Sequence, residues 1–371
     1  MTKYPILYKR NTNGTINQWQ IIVNGKEFYT IEGLQGGALT TSKPTLCEAK
    51  NIGRANATTP EEQAKSEAES KIQKKLDKGY TENIKKVDTC KTTFTPMLAH
   101  KYNDYKAKIQ FPVLASTKID GLRYIAREDG GWTRNGKPYV SVPHIQRILT
   151  PVFDKHPDWI IDGEIYSEDV PFEEIVSLVK KGKPEAQDLA ESEKKCKLYI
   201  FDGVIDDVNS PFEVRFKTIK DEIAKLVGKD SHLKFVENVT VKTHDELMTL
   251  HDEYVKQGWE GIMIRKVGSV YENKRSKNLL KYKSFLDKEF KILDIVEGIG
   301  SRAGMAGKLV IEIGKGETCE AGIKGGEDFY KSLLKNRSKL IGKKATVRYQ
   351  GVTDKGSLRF PVAVVIDPFD R

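Results

Sequence analysis

Between residues 113 and 267 the chain alternates short apolar runs with polar stretches, and after about Phe285 it changes to short apolar runs set apart by glycines. Runs of roughly four to eight residues are strand-length, too short for helices that bury a face. The first segment therefore predicts strands at 113–120, 122–127, 159–166, 198–204 and 261–267. It also predicts a helix over 243–257, opened by a capping box of Thr243 and Glu246. Leu247, Leu250 and Tyr254 lie on the inner face of that helix, and Gly258 ends it. The second segment predicts strands at 290–296, 309–313, 345–349 and 360–366, interrupted by one helix over about 327–340. Short strands with glycine turns and a single helix fit a small β-barrel of the oligonucleotide-binding type.

The first part of the chain reads as a separate unit. Runs at 18–23 and 26–31 flank Asn24-Gly25, a dipeptide that allows a tight hairpin turn. A helix follows, with Thr59 as its cap, Pro60 at its first position and Glu62 completing a capping box. Ala64, Ala68, Ile72 and Leu76 make its apolar stripe and Gly79 stops it; the mixed charges opposite suit a solvated surface. The polar stretch 81–95 reads as a linker. The predicted architecture is α+β, with domains at 1–92, 93–286 and 287–371.

Lysine and arginine number 62 against 52 aspartates and glutamates, a formal charge of +10. Such a surplus attracts polyanions at low salt, and it also serves solubility. No stretch approaches the roughly 18 consecutive apolar residues of a membrane span, and the first residues hold too short an apolar run for a signal peptide. A cytoplasmic protein is expected. Cys47, Cys90, Cys196 and Cys319 are scattered, which excludes zinc-ligand spacing and a Cys-x-x-Cys pair and makes free thiols the expectation.

The residues suited to chemistry recur in order along the middle segment. Lys118-Ile119-Asp120-Gly121-Leu122-Arg123 sets a lysine at a strand end, a glycine turn and an arginine opening the next strand. A lysine that is partly desolvated or near other cations offers its neutral amine as a nucleophile. Thr133-Arg134-Asn135-Gly136 carries a second arginine on a turn. Glu164 lies in the apolar strand Ile161-Asp162-Gly163-Glu164-Ile165, and Phe201 supplies an aromatic face. Glu260 stands at the entrance of Gly261-Ile262-Met263-Ile264. Lys281 and Lys283 alternate along an extended run, so both point to one face. Singly, each of these is unremarkable: Glu164 or Glu260 pairs with a surface cation, Phe201 is core, and a Lys-x-Lys is solvated. Together they meet one need, a lysine attacking the α-phosphate of a nucleotide among cations, metal-binding carboxylates and a stacking ring.

This set and order resemble the covalent nucleotidyltransferase superfamily, and within it the small ATP-dependent DNA ligases of the bacteriophage type, over roughly residues 95–371. The resemblance implies a nucleotidyltransferase domain (an ATP-grasp-like adenylation domain) followed by an oligonucleotide-binding-fold domain, the two sharing a DNA clamp. It implies that Lys118 is adenylylated by ATP, that AMP passes to the 5′-phosphate of a nick, and that the 3′-hydroxyl displaces it. Arg123 and Arg134 would hold the nucleotide and the 5′-phosphate. Glu164 would face the ribose or a metal-bound water, Glu260 would hold Mg2+, Phe201 would stack on adenine, and Lys281 and Lys283 would neutralise the α-phosphate. Asp287 would be the swivel between the domains. The implied partner is nicked double-stranded DNA, met by a monomer away from any membrane, in the host cytoplasm for a phage-encoded chain.

The match departs from the family at two places. Ser116 stands where many relatives carry Glu or Gln to read adenine, and the stretch from Val365 to Arg371 replaces the terminal Arg-x-Asp-Lys. The N-terminal unit resembles the WGR domain, a DNA-break-binding module, without its Trp-Gly-Arg; Leu34-Gln35-Gly36-Gly37 stands near that place. RNA ligases and mRNA-capping guanylyltransferases share Lys-x-Asp-Gly. The glycine-rich stretch from Glu297 to Leu309 and the trailing Arg359-Phe360-Pro361 favour a DNA ligase over both. A non-catalytic nucleic-acid-binding protein with a dead nucleotide pocket is disfavoured by the intact Lys118, Glu164, Glu260, Lys281 and Lys283.

Overall fold

The computed structural model describes the chain except for Thr12, Arg54 and residues 89–93, 300–301, 315, 354–355 and 367–371. Packing divides it into two compact units, one of Met1–Thr93 with Phe285–Arg371 and one of Phe94–Ser284.

The N-terminal strands β1 (Thr2–Lys3), β2 (Leu7–Arg10), β3 (Ile16–Asn24), β4 (Glu27–Leu34), β5 (Leu39–Thr41) and β6 (Thr45–Leu46) form one antiparallel sheet. Its apolar face (Leu7, Trp19, Ile21, Val23, Phe28) packs on Ala64 and Ala68 of α1 (Pro60–Leu76). Both arms of the α1 capping box form: the Glu62 amide donates to Thr59 Oγ1 at 3.2 Å and the Thr59 amide to Glu62 Oε2 at 2.8 Å. The β3–β4 hairpin pairs Asn24 with Glu27, so its loop is Gly25-Lys26, one residue beyond the expected Asn24-Gly25. The polar stretch from Thr81 does not start as a linker. Thr81 and Tyr8 exchange backbone hydrogen bonds of 2.8 and 2.9 Å, and Arg10 ties down Asp88. Residues 89–93 of that stretch lie outside the described residues.

The unit Phe94–Ser284 holds β7 (Leu98–Lys101), β8 (Val113–Lys118), β9 (Leu122–Arg127), β10 (Gly130–Trp132), α2 (Pro143–Lys155), β11 (Ile160–Tyr166), α3 (Phe172–Val179), α4 (Ala186–Lys195) and β12 (Lys197–Val204). After these come α5 (Phe212–Leu226), β13 (Leu233–Phe235), β14 (Val239–Val241), α6 (His244–Lys256), β15 (Gly261–Lys266) and β16 (Arg275–Lys283). They build two five-stranded sheets, β10-β9-β11-β12-β13 and β14-β8-β15-β16-β7. Ile161, Ile165, Leu198 and Ile200 of the first sheet pack on Ile145, Leu149 and Val152 of α2 and on Ile219 and Ile223 of α5. On the second, Leu247 of α6 packs on Val113, Ala115, Ile262, Ile264 and Leu280. A strand sends alternate side chains to opposite faces, so each sheet keeps its other face for a cleft. The turn after Lys118 carries the chain from β8 in one sheet to β9 in the other, and that crossing needs a glycine. A Cβ on Gly121 would lie 2.4 Å from the Ile165 carbonyl oxygen and 2.6 Å from Glu164 Cγ. The capping box expected at α6 is shifted: Thr243 Oγ1 caps the Glu246 amide at 3.2 Å, but Glu246 Oε2 accepts from the Lys242 amide at 2.7 Å.

The C-terminal segment closes into a barrel in the order β17-β18-β19-β21-β20, with β17 (Leu286–Glu297), β18 (Ala306–Gly314), β19 (Glu317–Ile323), β20 (Lys344–Tyr349) and β21 (Val362–Ile366). Ile292, Ile295, Leu309, Ile311, Ala321 and Val347 fill it with Leu333 of α7 (Glu327–Lys335). The single helix expected over 327–340 is two, because the chain leaves helical geometry at Asn336 before α8 (Arg337–Leu340). The strand β19 is the one that apolar runs do not reveal. Only Cys319, Ala321 and Ile323 face the core, between polar residues and a glycine. Asp287 lies inside β17, opposite Arg348, which grips its carboxylate at 2.8 and 2.6 Å. Phe360 lies before β21 rather than in it, at φ 52°. Cys47, Cys196 and Cys319 are buried free thiols. No helix among the described residues is long and apolar enough to cross a membrane.

Candidate active site

The open face of the second sheet carries its chemistry in registered rows. Lys118 of β8 lies opposite Gly261 of β15, and Gly261 lies opposite Lys283 of β16. Two residues away, Ser116, Met263 and Lys281 make the next row, and Leu114, Arg265 and Leu279 the one after. Ser116, Lys118, Met263, Arg265, Leu279 and Lys281 line one cleft with Arg123, Glu164 and Phe201 of the first sheet and with Arg134. Of the eight site residues singled out in the sequence, six line this cleft: Lys118, Arg123, Glu164, Phe201 and Lys281 from the two sheets and Arg134 from the exposed turn Thr133–Gly136, while Glu260 and Lys283 join Lys118 through ion pairs. That turn closes through the Gly136 amide on the Thr133 carbonyl at 2.9 Å.

Glu260 enters between the two lysines. Its carboxylate pairs with Lys118 through Oε2 and with Lys283 through Oε1, and its amide donates to the Lys118 carbonyl at 3.1 Å. Burial alone would raise its pKa, but Lys118 and Lys283 outweigh burial and hold the carboxyl below the ordinary glutamate value. The approach depends on Gly261 at φ 150°, where a Cβ would sit 2.2 Å from the Tyr282 carbonyl oxygen. Lys118 Nζ also donates to the Ile119 carbonyl at 3.3 Å.

Arg123 is gripped through two guanidinium nitrogens by the fully buried Asp162, and it donates to the Met97 carbonyl at 3.0 Å. Its guanidinium covers the Phe201 ring, 4.9 Å from the centroid, so one face of that ring already has a cationic partner. Glu164 lies beside Arg123 in the β9–β11 register. Burial pushes its carboxyl up to about 7; Asp162 and Glu260 add to the rise, while Lys118 and Arg123 oppose it. Lys281 is pulled below the ordinary lysine value by burial and by the neighbouring cations Lys283, Lys118 and Arg275.

Residues 96–283 match the family model for the ATP dependent DNA ligase domain. The DNA ligase of Haemophilus influenzae (strain Rd) is 30% identical over 266 residues, covering 71% of this chain and 89% of that protein. The chain belongs to the ATP-dependent DNA ligase family. The DNA ligase of Enterobacteria phage T4 is 26% identical over 327 residues, covering 72% of this chain and 67% of its own length. A solved Lig E DNA ligase shares the fold, with a TM-score of 0.61 at 23% identity over 73% of this chain and 98% of that one. The ligase is an ATP-dependent enzyme that joins DNA, with a nucleotidyltransferase domain and an oligonucleotide-binding-fold barrel.

Several cleft residues of this ligase escape a motif-by-motif reading. Arg265 is buried in β15 and pairs with Asp202 at 2.7 Å; Arg215 holds the same carboxylate at 2.7 and 3.0 Å. The Arg265 guanidinium also stacks over Phe212 at 4.1 Å. A charge at the end of the apolar run Gly261-Ile262-Met263-Ile264 is a legible signal, since a buried charge is retained only with a partner. Tyr271 likewise donates to Asp162 at 2.6 Å and so backs up Arg123. Arg275 and Asn238 line the cleft with no local pattern to announce them.

Proposed function

We propose that Lys118 carries AMP covalently and that the ligase seals nicks between 3′-hydroxyl and 5′-phosphate ends in duplex DNA. The observation that carries this reading is the row Lys118–Gly261–Lys283, in which two ammonium groups flank one glycine and share the Glu260 carboxylate. Lys283 in that row and Lys281 in the next bring positive charge beside the Lys118 nucleophile, which suits a phosphate that gains negative charge as it is attacked. Attack requires the neutral amine of Lys118, so its pair with Glu260 must open and one proton must leave. The amine then forms a P–N bond to the α-phosphorus of ATP as the bond to pyrophosphate breaks. The 5′-phosphate of the nick displaces Lys118 from AMP, and the 3′-hydroxyl finally displaces AMP.

Lys281 and Lys283 neutralise the α-phosphate in these steps. Arg123 and Arg134 hold the nucleotide and the 5′-phosphate, since guanidinium forks match phosphate oxygens. Phe201 offers the adenine the ring face not taken by Arg123. Glu164 faces the ribose. Among the described residues no group of three or more His, Cys, Asp or Glu side chains could hold a metal ion. Mg2+ asks less, since it binds through one or two carboxylates with other oxygens completing its shell. Glu164 and Glu260 would hold it: both are hard oxygen donors, and the charge of Glu260 helps push the Glu164 carboxyl up, a repulsion that a bound cation would relieve. The ion would supply charge neutralisation at the phosphates. On the same reading the chain divides into residues 1–92, 93–286 and 287–371, with the first adding contacts to DNA.

The test is to incubate the ligase with magnesium and ATP labelled in the α- or the γ-phosphate, denature it, and map the retained label. Label from the α-position alone, on Lys118, discharged by duplex carrying a 5′-phosphorylated nick, is the expected result. An adduct on another residue, or none, overturns the assignment.

A further inference from the structure

Most side chains lining the cleft are charged or apolar; the uncharged polar residues are Ser116, Thr117 and Asn238. Charged groups suit the phosphates, which leaves these three as candidates for the base. Thr117 pairs with Ile262, on the face that packs against Leu247. Ser116 and Asn238 lie together on the cleft side. Asn238 immediately precedes β14, whose register on β8 sets Val239 opposite Ala115 and Val241 opposite Val113. Continued by one residue, that register brings Asn238 beside Ser116, in the row that already holds Met263. This row lies two residues, about 7 Å, from the row of Lys118, a separation on the scale of the ribose between an α-phosphate and its base. Ser116 is short, which leaves a base edge room to reach its neighbour.

The Asn238 amide is also oriented. Nδ2 donates to the Val236 carbonyl at 3.1 Å. Oδ1 has no hydrogen bond among the described residues, so the side chain offers the cleft an acceptor. Turning the amide over would strip the Val236 carbonyl of its donor and set Oδ1 against it.

We propose that Asn238 determines the nucleobase: Oδ1 accepts a hydrogen bond from the 6-amino group of adenine and repels the 6-oxo group of guanine or hypoxanthine. This rests on the adenylylation reading of the same cleft. A site built around an acceptor rejects a ligand that brings a second acceptor in place of the donor, because both are then desolvated without a partner.

The experiment compares ATP with inosine triphosphate, each labelled in the α-phosphate, by kcat/KM for formation of the lysyl adduct. The full-length ligase is expected to prefer ATP, and Asn238→Ala to lose about ten-fold or more of that preference through a fall in the ATP rate together with a rise in the inosine triphosphate rate. Asn238→Asp keeps an acceptor and is expected to keep the preference. An unchanged ratio in Asn238→Ala, or an aspartate variant as indiscriminate as the alanine one, overturns the role of Asn238 while leaving Lys118 in its own. No adduct from either nucleotide in the parent enzyme overturns the Lys118 assignment, and this inference with it.

Discussion

Glu260 is bonded to Lys118 twice: its amide donates to the Lys118 carbonyl at 3.1 Å, and its carboxylate pairs with the Lys118 ammonium. The backbone bond anchors the end of β8 to the start of β15, so the carboxylate is delivered to the lysine by the sheet itself. Because Lys283 grips the other carboxylate oxygen, Glu260 keeps one partner when the Lys118 pair opens.

Lys118→Ala is accordingly expected to abolish the covalent AMP adduct while leaving affinity for nicked duplex within about two-fold of the parent. Denaturing gels after labelling and a mobility-shift titration measure the two quantities. Persistent labelling would put the nucleophile elsewhere.

Lys283→Ala should slow adduct formation by about 100-fold, or about 3 kcal/mol of transition-state stabilisation, by analogy with the loss of one oxyanion donor. Single-turnover labelling at saturating ATP reads this directly, and a full-rate variant counts against the phosphate role of Lys283.

Gly261→Ala forces a Cβ to within 2.2 Å of the Tyr282 carbonyl oxygen at a backbone φ of 150°. Strained backbone of this kind costs about 1–3 kcal/mol before any clash is counted. A lowered melting temperature and loss of labelling together are expected. A variant as stable and active as the parent would mean that β15 and β16 do not approach as closely as their register requires.

Glu164 ties stability to pH. Its carboxyl is raised in the fold from an ordinary 4.5 to about 7, so the folded protein favours the protonated form. Its contribution is fully present below about pH 4.5 and is lost as pH rises through about 7. Glu164→Gln stays neutral throughout. Relative to the parent, the variant should therefore gain stability between about pH 4.5 and about pH 7 in urea melts, with a constant advantage above that. Parallel curves would show that burial does not govern this carboxyl.

Deleting residues 1–92 should weaken DNA binding and leave self-adenylylation intact, since the sheet of β1–β6 packs its own core on α1 and the cleft lies wholly within residues 94–284. Binding of both forms should fall steeply with salt, as phosphate contacts dominate affinity. Equal affinity of the two proteins for nicked duplex would exclude an accessory DNA role.

Local signals in the chain were enough for the strands that end in chemistry. An apolar run of strand length stopping at Lys118, another starting after Glu260 and a third holding Glu164 are short-range patterns, and the order of those motifs carried the family. Capping at Thr59 was equally local. Where residues compete for a bond, the pattern misled by one position. Glu246 found the Lys242 amide rather than that of Thr243, and the hairpin closed on Gly25-Lys26. The barrel strand Glu317–Ile323 shows little because its inward residues include a cysteine and an alanine.

Residue order alone settles which side chains are available and which strand each one ends. What faces what is set by folding, because cross-strand register and sheet-to-sheet packing join residues far apart in the chain. Lys118 meets Glu260, Arg123 covers Phe201, Arg265 reaches Asp202, and Asn238 comes beside Ser116 only once β8, β14 and β15 are aligned and Gly261 lets two backbones touch. Those pairings cannot be read from spacing, since they follow from the desolvation of charges that must find partners in one folded cleft.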